Sequence, residues 1–180
     1  MDIGTISSRY ARALFDSAEE KGLEGPIYEK MKMLATCLLI ERKLIEALRN
    51  PILPREEKER LLQTAGGDGE CGLYTNFIRM VLRHKRESLL PFISYIYIHL
   101  YRKKNKIVKV QFSSVEPIGP DTEAHLKEKL QKETGCTIEF SGKTDPDLLG
   151  GFRLRIGNYR VDASFATQLR EIRSRLLEKH

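Results

Sequence analysis

Apolar residues recur with a helical period up to Lys104 and alternate with polar ones beyond Asn105. Thr5 or Ser7 opens a first helix carrying Tyr10, Ala13, Leu14, Phe15 and Ala18, and Gly22 with Gly25-Pro26 is expected to end it. A second helix is expected over Ile27 to Ile40 and a third over Arg42 to Arg49. Asn50-Pro51 breaks the chain, and Pro54 starts a fourth helix that fades before the loop Gly66-Gly67-Asp68-Gly69. A fifth helix covers Leu73 to Arg86. The sixth begins near Ser88, accepts Pro91 in its first turn and ends at Arg102-Lys103-Lys104, where cations suit the negative end of the helix dipole. Its centre, Tyr95 to Ile98, is rich in strand formers, so propensity and pattern pull apart there.

Val108, Val110 and Phe112 alternate with Lys109 and Gln111, the pattern of a half-buried strand. Gly119-Pro120-Asp121 opens a helix that closes at Gly135, and Thr137 to Ser141 reads as a second strand. Gly150-Gly151 lets the backbone bend or pack closely at a strand entrance. Phe152, Leu154 and Ile156 then share one face, Gly157-Asn158 makes a two-residue hairpin turn, and Tyr159 to Val161 returns as partner strand. Asp162 or Ser164 caps a last helix in which Phe165, Leu169, Ile172 and Leu176 line one face and Arg170, Arg173 and Arg175 turn mostly to water. The expected architecture is α+β: a six-helix bundle over residues 1–104, then a small α/β domain with a mixed sheet over residues 105–180.

The first and fifth helices are not apolar along a single stripe. Phe77, Ile78, Met80, Val81 and Leu82 point nearly all round the fifth, and Tyr10, Ala13 and Leu14 oppose Ala11, Phe15 and Ala18 on the first. Such helices are buried centrally or covered by something else. If the two lie side by side, small Ala13 and flexible Met80 line a groove for an incoming amphipathic helix; otherwise both are core helices of a compact bundle.

The net charge of +6 raises a nucleic-acid reading, which the distribution weakens. Residues 1–104 carry 18 basic and 14 acidic side chains and the rest 13 and 11, with both signs interleaved as on solvated helix faces. Cys37, Cys71 and Cys136 are odd in number and far apart, which indicates neither a disulfide framework nor a zinc site and suits a reducing compartment. The start, Met-Asp-Ile-Gly-Thr, does not read as a secretory signal. The apolar run Leu89 to Tyr101 is too short to span a bilayer.

No catalytic constellation emerges. The four histidines show no His-Glu-x-x-His pair, and adjacent carboxylates such as Glu56-Glu57 point different ways on a helix. Gly142-Lys143-Thr144 imitates the tail of a phosphate-binding loop, but Thr137 stands where that loop needs its first glycine, and Asp145-Pro-Asp follows instead of a helix. Neither cofactor nor metal is expected.

The stretch Leu-Leu-Gly-Gly-Phe-Arg-Leu-Arg-Ile-Gly-Asn-Tyr-Arg-Val-Asp-Ala-Ser164, followed by Gln168-Leu169, closely resembles the delta subunit of F-type ATP synthases, the family of the mitochondrial oligomycin sensitivity-conferring protein. The resemblance extends to Ser8-Arg-Tyr-Ala-Arg-Ala-Leu-Phe15, to Asn76 through Arg86 and to Leu89-Leu-Pro91, in order along essentially the whole chain. It implies a non-catalytic stator subunit of a proton-translocating enzyme, peripheral on the cytoplasmic face of a bacterial plasma membrane. Such a subunit links the catalytic head to the b-type peripheral stalk and resists rotor torque. It further implies that the bundle takes the N-terminal helix of an alpha subunit between helices one and five, through Tyr10, Ala13, Leu14, Ser17, Asn76, Phe77 and Met80. The signature residues Gly150, Gly151, Gly157, Asp162, Ser164 and Leu169 fall in the stalk-side domain. Two departures stand out: Phe165-Ala166-Thr167 replaces the family's common Val-Arg-Gly, and Asn158 stands where Asp is frequent. The alternative of another class is a basic nucleic-acid-binding module, whose affinity would fall steeply with salt.

Overall fold

The computed structural model describes residues 3–69, 71–148, 150–157, 159–167 and 169. The chain divides into two compact units between Lys104 and Asn105.

The described residues of the first unit form six α-helices: α1 Ile3–Glu20, α2 Glu24–Ile40, α3 Arg42–Arg49, α4 Arg55–Ala65, α5 Gly72–Arg83 and α6 Leu90–Lys104. A 3-10 turn, Glu87–Leu89, leads into α6. α1 stops because Gly22 takes a left-handed φ of 63°. The Leu23 N–H then donates to the Ala18 carbonyl at 2.8 Å and the Gly22 N–H to that of Glu19 at 3.1 Å, which satisfies carbonyls the helix end leaves open. Gly25-Pro26 does not end α1, contrary to expectation. Both lie in the first turn of α2, where a missing proline N–H costs no intrahelical bond.

α5 ends at Arg83 rather than Arg86, a second departure from the sequence expectation. Lys85 adopts φ 54°, and the Arg86 N–H reaches back to the Val81 carbonyl at 3.0 Å. This is the closure seen after α1, with lysine in the position that favours glycine. The strand-forming centre of α6 is helical, because Ile93, Tyr97 and Ile98 are buried where α6 packs on α1 and α2. Tyr95 on the far side is 71% exposed.

Ile27, Met31, Leu34, Leu62, Ile78 and Leu90 lie fully buried in the core of this unit. Two lysines enter it with their charges engaged. Lys30 donates to the Gly67 and Asp68 carbonyls at 3.1 and 3.3 Å and stands 5.5 Å from the centre of the Tyr74 ring, tying the glycine-rich loop to α2. Lys58 donates to the Leu48 carbonyl at 2.6 Å and pairs with Glu87 at 3.0 Å.

The second unit runs β1 Ile107–Ser114, α7 Pro120–Thr134, β2 Thr137–Thr144, β3 Gly151–Ile156 and β4 Tyr159–Ser164, with a 3-10 turn over Pro146–Leu148. Its strand order is β2-β1-β3-β4; β1 and β2 are parallel and the other pairs antiparallel, so the sheet is mixed. Pro120 occupies the first turn of α7, and Gly135 ends it in the left-handed region at φ 63°. α7 makes the crossover a parallel pair requires. The pairing register puts Val110, Phe112, Phe140, Phe152, Leu154 and Ile156 on one face, with Phe112 stacked on Phe140 and Phe152 at 6.1 and 5.4 Å. β2 extends past Ser141, and Gly142-Lys143-Thr144 pairs with Phe112–Ser114 as part of the ladder. These three residues are strand, not a loop that could wrap a phosphate.

Candidate functional site

Residues Tyr10, Ala13, Leu14 and Ser17 fall at i, i+3, i+4 and i+7 on α1; Leu73, Asn76, Phe77 and Met80 repeat the spacing on α5. The two stripes face one another across a gap. α1 packs closely on α6, and α5 on α4, so α1 and α5 meet through side chains such as Tyr10 and Phe77, whose rings touch edge to face at 6.5 Å. Above this contact opens a groove of about 230 Å³ lined by Ala13, Leu14, Ser17, Leu73, Asn76, Phe77 and Met80.

The groove has a fixed floor and a soft rim. Leu14 and Phe77 are 3% and 5% exposed and belong to the core, whereas Met80 is 38% exposed and Ala13 is open to solvent. Small Ala13 creates the depth, and the unbranched Met80 thioether can reshape the wall. Ser17 and Asn76 contribute the polar groups of an otherwise apolar lining. Six of the seven expected groove residues line it directly. Tyr10 does so only indirectly, buttressing Phe77 while Arg86 lies 5.5 Å from its ring centre. Leu73 lines it as well, beyond the expected seven, and its place one turn before Phe77 is the sequence signal for it.

The signature residues of the second unit assemble differently. Gly150 and Gly151 have φ of 122° and 77°. A Cβ on Gly150 would overlap the Phe165 ring, and one on Gly151 would overlap the Ala163 carbonyl and lie 3.0 Å from the Ser164 Cα. Glycine is required there by backbone geometry and by close approach. Asp162 accepts from Arg153 at 2.9 Å across the β3–β4 pair, from Arg160 at 3.2 Å, and from the Ser164 hydroxyl and N–H at 2.6 and 3.2 Å. The Ser164 hydrogen bonds and the Arg153 charge hold its carboxyl far below the usual carboxylate range. Of the two expected caps, Ser164 fills the role: its hydroxyl accepts from the Thr167 N–H at 3.4 Å.

Arg153 also pairs with Asp145 at 3.3 Å, so these charges serve an internal brace. Gly157 turns the hairpin with φ 56°, Leu169 is 63% exposed, and Phe165 is 55% exposed with its N–H donating to the Gly150 carbonyl. Asn158, Ile172, Leu176 and the arginines of the expected last helix lie outside the described residues. Among the described residues no helix is long and apolar enough to cross a membrane, and no group of three or more His, Cys, Asp or Glu could hold a metal ion.

The chain matches the family profile described as ATP synthase delta (OSCP) subunit over residues 6–176. It is 60% identical to the ATP synthase subunit delta of Parabacteroides distasonis, over 99% of both chains. It is 38% identical to that of Phocaeicola vulgatus, over 100% of this chain and 98% of the relative. Among solved structures, a chain of the Toxoplasma gondii mitochondrial ATP synthase hexamer superposes with a TM-score of 0.66 at 20% identity, covering 95% of this chain and 97% of the other, and so shares the fold.

Proposed function

We propose, from the premise that this chain belongs to the ATP synthase delta (OSCP) subunit family, that its first unit is a six-helix bundle seating one amphipathic helix between α1 and α5. The chain is a non-catalytic connector of the ATP synthase stator. The helix we assign to the groove is the N-terminal segment of an alpha subunit of the catalytic head. Residues 105–180 are assigned to the end of the b-type stalk, on the cytoplasmic side of the membrane.

The observation that carries the reading is the paired i, i+3, i+4, i+7 stripes with an apolar gap between them. A helix laid there removes apolar area from water at about 25 cal/mol per Å², less the cost of ordering the segment. Leu14 and Phe77 are already packed, so the floor needs no rearrangement. Docking through each of the two units raises effective concentration, which suits a part that must hold against torque. The test is calorimetric titration of the full chain with the alpha-subunit N-terminal peptide and, separately, with a soluble b-type stalk fragment. Saturable binding of the peptide, displaced by no stalk fragment, is expected; absence of peptide binding would remove the groove assignment.

A further inference from the structure

We infer that the corner where α3 and α4 meet the end of α5 is a binding pocket for a phosphate-type oxyanion, free or carried as the terminal group of a nucleotide. A concavity of about 290 Å³ opens there. That is just below the range of roughly 300–1,000 Å³ that holds drug-sized ligands, so a small anion or one end of a larger molecule fits it. Four cations line it: Arg49 at the end of α3, Arg55 and Lys58 in the first turn of α4, and Lys85 after α5.

Among the described residues one carboxylate, Glu87, shares the lining, and its charge is turned inward. Its Oε1 is held by Lys58 at 3.0 Å, and its Oε2 is buried with no hydrogen-bond partner. Lys58 in turn is engaged by Glu87 and by the Leu48 carbonyl. Arg49, Arg55 and Lys85 remain exposed, with no acidic partner among the described residues. Glu56 and Glu57 of the same helix turn do not line the pocket. Three like charges converging on one concavity repel each other until an anion sits between them, and guanidinium groups match the paired oxygens of a phosphate.

The backbone fixes the place of one of these cations. Lys85 sits at φ 54°, where glycine would be less strained. The turn that closes α5 thus carries a long cationic side chain at a position that penalises any side chain, and that side chain lines the pocket. The pocket shares no lining residue with the groove between α1 and α5, so the two assignments stand or fall separately.

The experiment uses the full chain at constant ionic strength, titrated with inorganic phosphate, with ATP and with chloride as control. Backbone amide shifts and the melting temperature are read together. Saturable shifts centred on Arg55 and Lys85 are expected with phosphate or ATP and not with chloride, and Tm rises by about 3–6 °C at ten times Kd. Affinity for ATP tenfold or more above that for phosphate assigns the site to a nucleotide-borne group; otherwise free phosphate is its ligand.

Arg55→Gln is expected to weaken binding about tenfold. Lys85→Gly does the same while raising the ligand-free Tm, because it relieves the left-handed backbone. This second variant separates lost binding from lost folding. Shifts that never saturate, or a response equal in wild type and both variants as a general salting effect would give, overturn the proposal.

Discussion

Ala13→Asp tests the groove between α1 and α5 with a change the fold itself should tolerate. Ala13 is solvent-exposed in the middle of α1, so the substitution creates no cavity and no overlap in the core. Its folding cost is the helix-propensity difference, at most about 0.7 kcal/mol, which lowers Tm by about 1–3 °C in a chain of this length. Under a docked helix the same carboxylate is desolvated among Leu14, Leu73, Phe77 and Met80. Ser17 and Asn76 are the polar side chains within the lining, so the charge is partly rather than fully orphaned. A penalty of at least about 2 kcal/mol follows, or roughly 30-fold weaker binding. Calorimetry with the alpha-subunit N-terminal peptide measures the affinity, and thermal unfolding of the same sample measures the fold. Affinity within threefold of wild type, with Tm preserved, would refute the reasoning that the helix lies over Ala13.

Three further outcomes are expected. Gly151→Ala should cost about 2–4 kcal/mol, since φ of 77° is unfavourable for alanine and the new Cβ meets the backbone of β4 rather than a movable side chain. Faster amide exchange in β3 and β4 would report it, while Gly142→Ala, whose Cβ has open space, should leave that exchange unchanged or slower. Tyr74→Phe removes the hydroxyl that donates to the Leu62 carbonyl at 2.8 Å, but the Gly66 N–H still serves that carbonyl at 3.1 Å, so urea unfolding should show a loss near 1 kcal/mol. Asp162 has a folded-state pKa below its unfolded value, so the unfolded chain binds the proton first as pH falls. Its stabilisation is therefore complete above about pH 4 and fades in more acid solution, and the stability gap between wild type and Asp162→Asn should shrink over that acid range.

Local rules placed most elements because their signals were self-contained. Asn50-Pro51, Pro54 and the glycine loop bounded α3 and α4, and Gly119-Pro120 with Gly135 bounded α7 to the residue or nearly so. Errors came where distant contacts or unusual backbone decided the outcome. Gly25-Pro26 looked like a stop and proved to be a start, because a helix accepts proline in its first turn and Gly22 had already closed α1. Lys85 ended α5 in a conformation that residue type argues against. The Tyr95–Ile98 segment turned helical once α1 and α2 offered it a surface.

Hydrophobic period, turn chemistry and the long family resemblance were properties of the chain read in order, and from them alone came the α+β plan, the family and nearly every groove residue. What the chain in order could not express was the separation between α1 and α5. Their stripes are equally compatible with a closed core and with an open groove, because periodicity reports which side is apolar and not how far away the next helix lies. Packing on α6 and α4 set that distance, leaving Leu14 and Phe77 as floor and Met80 as rim. The same limit hid the cationic corner. Arg49, Arg55 and Lys85 are scattered along the sequence, and only the fold turns three ordinary surface charges toward one cavity.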